Sequence, residues 1–332
     1  MLKSLRLLFS NFTLFLIATV VLASLLPAHG TGAAFFEHLT TLAIVLLFFM
    51  HGAKLSRQAI IAGIMHWRLH LLVFACTFLL FPLLGFISTP LTRPLLGNEL
   101  FIGLLFLCAL PGTVQSAIAF TSIARGNIPA AVCSASASSI LGIVFTPLAF
   151  SLLMGADQGS AGSLLHAIWR ISLELLLPFI VGHLARPLIG AFVERNRKLL
   201  GSVDQGSILL IVYSAFSESV VAGLWHNTPL SSLLLLTLVC CLLLAVVLTL
   251  TTWLARRLGF HKEDEITIVF CGSKKSLASG VPMAQVMFGS AASGIAMGPV
   301  LLPIMIFHQL QLMVCAVLAE RYAARTKNTQ PD

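Results

Sequence analysis

Residues 269–283 read VFCGSKKSLASGVPM. Lys274 and Lys275 stand side by side in an apolar tract, with Gly272 before them and Gly280 and Pro282 after. A charged side chain at the centre of a bilayer costs about 2.5–3.5 kcal/mol on insertion scales. Two in one span demand a surrounding other than lipid, and the rest of the chain indicates which.

That chain is built for a membrane. Of its 332 residues, 58% are hydrophobic and 10% charged, and no soluble domain of this length can bury so much apolar surface. Windows of about 18–25 apolar residues recur, each able to cross a hydrocarbon core of about 30 Å. The short alternating segments of a membrane β-barrel do not occur. The sequence predicts an all-α polytopic membrane protein with ten transmembrane helices, near residues 9–26, 36–53, 67–87, 98–124, 128–154, 166–186, 203–224, 230–255, 263–288 and 296–320. Lys3 and Arg6 precede the first span as in a signal peptide. The span is too long for one, and Pro27-Ala28-His29 is a poor cleavage site, so it reads as a retained helix. The seven cysteines lie in or beside apolar spans without metal-ligand spacing, and read as small apolar filler.

Basic residues sort by side. Lys3, Arg6, Lys54, Arg57, Arg68, Arg125, Arg186, Arg195, Arg197, Lys198, Arg256, Arg257, Lys262, Arg321, Arg325 and Lys327 fall on one side, and Arg93 and Arg170 on the other. The bias predicts a multi-pass protein of the inner (plasma) membrane with both termini cytoplasmic. The basic loops are then orientation anchors, and no nucleic-acid partner is expected.

Two spans are interrupted. Residues 99–127 read ELFIGLLFLCALPGTVQSAIAFTSIARGN, with Pro111-Gly112 in the middle, and the ninth span breaks at Gly272. Proline removes a backbone donor and glycine is a poor helix former, so each span splits into two half-helices. Laying Gly112-Thr113-Val114-Gln115-Ser116 over Gly272-Ser273-Lys274-Lys275-Ser276 aligns a glycine, a hydroxyl and a final serine at an offset of 160 residues (272 − 112). Five spans precede residue 160 and five follow it. An odd number reverses orientation, which predicts inverted repeats over 1–160 and 161–332 with broken helices 4 and 9 crossing at mid-membrane, the arrangement of many secondary transporters.

A broken helix presents unpaired N–H groups and a positive dipole end, which suit an anion, while opposing carbonyl ends suit a cation. The expected substrate-binding residues are Gly112, Thr113, Gly272, Ser273, Lys274, Lys275, Ser276 and His308. The lysines lie too deep to snorkel easily, and His308 is open to a plain hydrogen-bonded core role as well. The expected cation-binding residues are Gln115, Ser116, Ser134, Ser138 and Glu218, of which the serines of CSASASS (133–139) could equally serve helix packing. Glu218 is an intramembrane carboxylate beside Ser217 and Ser219; Glu174 pairs more naturally with Arg170, four residues back. No Walker motif, HExxH, nucleophile elbow or CxxC pair occurs, so neither ATP coupling nor enzyme chemistry is expected.

The stretches FCGSKKSLASGVPM, YSAFSES, LGIVFTPL and LLPIMIFHQLQL resemble the bile acid:sodium symporter family, most closely its divergent SBF-like branch, over nearly the whole chain. The resemblance implies a panel domain from helices 1, 2, 6 and 7, a core domain from helices 3–5 and 8–10, and sodium-coupled uptake of organic anions, bile acids among them. It also implies an acidic residue just before the ninth-span break, where this chain has Phe270-Cys271-Gly272 followed by the lysines. The implied sodium-ligand role falls instead to Gln115, Ser116 and Ser134. The expected function is secondary active transport of an organic anion, bile acid-like or other, by alternating access, with sodium as the coupling ion and no further cofactor. Two alternatives stand beside it: a proton-coupled carrier or antiporter working through Lys274 or Lys275, and a non-transporting membrane regulator. Lipid and a small organic anion are the expected partners, and the oligomeric state is not legible.

Overall fold

The protein is described from a computed structural model covering residues 11–54, 66–154, 169, 172–289 and 295–328. All regular structure among these residues is helical. The principal helices are α1 (Asn11–Leu25), α2 (Thr31–Lys54), α3 (Trp67–Leu96), α4 (Asn98–Ala109), α5 (Gln115–Ile123), α6 (Ile128–Met154), α7 (Leu177–Arg195), α8 (Arg197–Val221), α9 (Leu230–Arg257), α10 (Lys262–Gly272), α11 (Leu277–Phe288) and α12 (Met297–Asn328). Seven of them (α2, α3, α6, α7, α8, α9 and α12) are long and apolar enough to cross a membrane. The protein is a multi-pass α-helical membrane protein.

Both expected interruptions are present. The fourth span breaks over residues 110–114, between α4 and α5, and the ninth over 273–276, between α10 and α11. Gln115 and Ser116 open α5 rather than lying in the break, and Gly280 and Pro282 lie inside α11. Every residue of α4 from Leu100 to Ala109 is buried, as is every residue of α10 from Glu265 to Gly272. A helix that is apolar all round belongs in an interior, and α4 is packed by α3, α6 and α12. The outer helices turn large apolar side chains such as Leu25, Leu152, Leu188 and Leu230 outward.

Helix α3 runs nine residues past its expected end at 87, through Pro90 and Pro94. The hydroxyls of Ser88 and Thr89 bond back to the carbonyl of Gly85, and that of Thr92 to Ser88, so the polar side chains of this stretch are satisfied within the helix. Gly97, at φ 75°, then makes the sharp turn into α4. Likewise α7 continues through Pro187 to Arg195. Arg170 and the side chain of Glu174 lie outside the described residues, so their pairing does too.

The α2–α7 contact is set by two glycines. A Cβ on Gly52 would collide with the carbonyl of Phe179, and one on Gly182 with the carbonyl of Phe49. Each glycine thus faces the carbonyl three residues before the other, and the backbones touch directly, as small residues permit in lipid.

Candidate functional site

The two breaks lie against one another. The N–H of Ser276 donates to the carbonyl of Pro111 at 2.9 Å, and a Cβ on Gly112 would stand 3.2 Å from the carbonyl of Cys271. Gly112 is a glycine because the backbone of the ninth-span break passes here. Gly272 has a different neighbour: its missing Cβ would meet the side chain of Cys76 on α3 at 3.1 Å.

A half-helix that ends inside the protein leaves its last carbonyls without partners in the ladder, and at the end of α4 the carbonyls of residues 107–110 all find one. The carbonyl of Leu107 takes the N–H of Leu110 at 3.3 Å, and that of Ala109 takes the Thr146 hydroxyl at 3.0 Å. The carbonyls of Cys108 and Leu110 take the Lys275 ammonium at 2.9 and 2.6 Å. A third bond from Lys275 Nζ goes to the carbonyl of Thr77 at 2.8 Å, in a π-helical segment of α3 (Cys76–Leu80). Such segments displace backbone groups from the normal ladder. Lys275 Nζ also lies 4.1 Å from the centroid of the Phe81 ring. The main chain of Lys275 is held by Gln311, whose Oε1 accepts from its N–H and whose Nε2 donates to its carbonyl, both at 2.8 Å.

Lys274 points elsewhere. Its Nζ donates to the carbonyl of Ser116 at 3.0 Å and lies 3.9 Å from the Phe120 ring centroid and 5.2 Å from that of Phe270. Both lysine side chains are enclosed by protein, with relative exposures of 0% and 1%.

Beside the crossing lies a cavity of about 510 Å³. Thr113, Gln115, Ser116, Ser276, Ser279 and His308 face it from the broken spans and α12, and His51, Asp204, Gln205 and Ile208 from α2 and α8. The first turns of α5 and α11 therefore open on the same space. Ser276 caps α11 by accepting from the N–H of Ser279 at 3.1 Å, and Ser116 donates to the Thr113 hydroxyl at 2.7 Å. Asp204 pairs with Lys54, and its second oxygen, Oδ1, has no hydrogen-bond partner among the described residues.

The structure thus brings together Thr113, Gln115, Ser116, Ser276 and His308 at the cavity, with Gly112 at the backbone contact behind it. Ser273 is buried and donates to the carbonyl of Val269 at 2.6 Å. Ser134 pairs with Nδ1 of His70 at 2.6 Å, and Ser138 accepts from the N–H of Gly112 at 3.0 Å. Glu218 is apart from all of these: it lines a second cavity of about 410 Å³ with Glu37, Ser217 and Gln285. His51, Asp204, Gln205 and Gln311 escape a reading of the sequence that follows only the broken spans. Asp204, a carboxylate followed directly by Gln205 in a helix-forming apolar stretch, was the available signal.

Comparison with known proteins identifies the family of the chain. A model of the SBF-like CPA transporter family matches residues 10–324. The chain is 64% identical to "Uncharacterized protein PA2026" of Pseudomonas aeruginosa, over 96% of this chain and 95% of that protein. It is 56% identical to "Putative symporter YfeH" of Escherichia coli K12, over 96% and 94%. The sodium/bile acid cotransporter 7 of Danio rerio is 26% identical over 92% of this chain and 91% of its own length. With nearly its whole length matched, and with relatives this similar, the chain belongs to the SBF-like CPA transporter family.

Proposed function

We propose that the protein is a secondary transporter that moves a small organic anion by alternating access. The observation that carries the reading is the shared cavity under the first turns of α5 and α11. Each contributes a positive dipole end and N–H groups that have no partner in their own helix. His308, Thr113, Gln115 and Ser279 add neutral donors around the same space. Membership of a transporter family speaks for transport over a non-transporting regulator.

The reading includes a fold of ten crossings in two inverted five-helix repeats, 1–160 and 161–332. The pattern of packing supports it. Helix α1 packs on α8 and α2 on α7; α3 packs on α4 and α9 on α10; α4 packs on α12 and α10 on α6. Exchanging the halves at the offset of the two breaks turns each of these pairs into its mate. On this reading α1, α2, α7 and α8 form the panel, the other helices form the core, and the cavity lies between them.

With both termini cytoplasmic in the inner membrane, Lys54, Gly201 and Asp204 mark the cytoplasmic end and the cavity faces inward. The opposite end is closed where the N–H of Gly298 on α12 meets the Ser219 hydroxyl on α8 at 2.6 Å. Opening that contact while α8 closes over the inner cavity would expose the crossing to Glu37 and Glu218, which line the second cavity. The names of the vertebrate relatives carry sodium and bile acid; applied here they would make the substrate bile acid-like and the coupling ion sodium. Uptake into proteoliposomes from a panel of organic anions, with and without a sodium gradient, tests the reading. Uptake of no anion under either condition, by a protein shown to be folded, would overturn it.

A further inference from the structure

We propose that the ammonium of Lys275 is the protein's own cation at the crossing, occupying a carbonyl cage that would otherwise hold a metal cation, so that the crossing takes no sodium. The cage consists of the carbonyl oxygens of Thr77, Cys108 and Leu110, at 2.8, 2.9 and 2.6 Å from Nζ. An all-oxygen set of this kind is what a hard cation selects. Cys108 and Leu110 sit at the C-terminal end of α4, the negative end of its dipole. On another side the Phe81 ring presents its face to the same charge.

The hydrogen-bond count matches a protonated amine. A protonated lysine has three N–H donors and no acceptor, and here three acceptors meet it. A neutral amine would turn a lone pair against one of the carbonyls. The three carbonyls can only accept, and this surrounding favours the cation.

Three of the five residues expected to bind a cation are engaged elsewhere. Ser138 Oγ accepts from Gly112, Ser134 Oγ is paired with His70, and the carbonyl of Ser116 takes Lys274 Nζ. Among the described residues no carboxylate forms an ion pair with either lysine. A second cation beside two fixed ammonium groups meets repulsion that a low-dielectric interior amplifies. The charge that balances an anion in the cavity is then covalently part of the carrier. This last consequence deepens the transport reading and rests on it; the cation assignment does not.

Thermal unfolding of the purified full-length protein tests the assignment without any transport assay, so its failure and a failure of the uptake experiment are separate results. The wild-type protein is expected to unfold at the same temperature in sodium, potassium and N-methyl-D-glucamine chlorides of equal ionic strength. Lys275→Ala empties the cage: it is expected to unfold at a lower temperature and to regain part of the loss, saturably, on addition of sodium or methylammonium but not of N-methyl-D-glucamine. A saturable, sodium-specific rise in the wild-type protein would overturn the proposal, as would a Lys275→Ala protein indifferent to every cation. Should that variant not accumulate, equilibrium binding of radioactive sodium to the wild-type protein decides: saturable binding overturns the assignment and its absence supports it.

Discussion

Ser276 and Pro111, 165 residues apart in the chain, are joined by one main-chain hydrogen bond of 2.9 Å. Through it the break of the ninth span uses a carbonyl that the break of the fourth releases. Neither interruption is self-sufficient, and each supplies what the other lacks.

Gly112→Leu should separate the two breaks. Its Cβ would press on the Cys271 carbonyl at 3.2 Å, and the rest of the side chain has no path past the Ser138 hydroxyl, 3.5 Å away. The expected outcome is an inserted protein with a lowered unfolding temperature and no substrate uptake. Normal uptake by this variant would be incompatible with a functional crossing at Gly112.

Gln311 is fully buried and uses both ends of its amide on the main chain of Lys275, with His308 Nδ1 also 3.0 Å from its nitrogen. Gln311→Leu strands a donor and an acceptor, a loss of about 1–3 kcal/mol for each group left unsatisfied. Thermal unfolding should show a clear fall in midpoint, and Gln311→Glu, which keeps the acceptor but not the donor, should fall between the two. A Gln311→Leu midpoint equal to wild type would mean that this clamp is dispensable.

At the α2–α7 contact, Gly182→Leu should be worse tolerated than a substitution on the outer face of the same helix. Inserting atoms into a packed contact costs about 1–3 kcal/mol where the neighbours can shift, but the neighbour here is the Phe49 backbone. Yield of folded protein by fluorescence-detected size exclusion is the measurement, with Leu188, an outward-facing residue of the same helix, replaced by methionine as the control. Equal yields would contradict the backbone contact.

The pair Lys54–Asp204 links α2 to α8 at the mouth of the cavity, with the aspartate side chain 8% exposed and the lysine 29%. Removing the lysine leaves a buried carboxylate without its partner, whereas removing both charges leaves none. Lys54→Met should therefore lower the unfolding temperature more than the double change Lys54→Met with Asp204→Leu. If the double variant is the less stable, the pair contributes through packing rather than charge.

Orientation is open to direct measurement. In a background without the seven native cysteines, a cysteine near residue 328 should resist membrane-impermeant thiol reagents in intact cells, and one near His29 should react. The reverse pattern would invert the orientation drawn from the basic residues.

What the sequence disclosed and what it withheld divide along a physical line. Pro111-Gly112 and Gly272 located both interruptions because backbone chemistry is written in the residues that break helices. The surroundings of Lys274 and Lys275 were not legible. Their partners are carbonyls of Thr77, Cys108, Leu110 and Ser116, and a carbonyl has no residue code. Hence the lysines read as facing an anion or a wet cavity, whereas neither is among the residues lining the described cavities. The extension of α3 past Pro90 was hidden because proline ends helices in water more readily than in a membrane protein, where it is tolerated within a spanning helix.

The cage around Lys275 also bears on how the chain is made. Thr77, Cys108 and Leu110 leave the ribosome long before Lys275. The ninth span carries Lys262, Glu263, Asp264 and Glu265 at its start and two lysines at its break, so it is a poor candidate for entering the bilayer alone. Its insertion has a template only once the third and fourth spans stand ready with their carbonyls. The C-terminal half is in this sense a guest of the N-terminal half, and truncations after the eighth span would leave those carbonyls waiting for a lysine that never arrives.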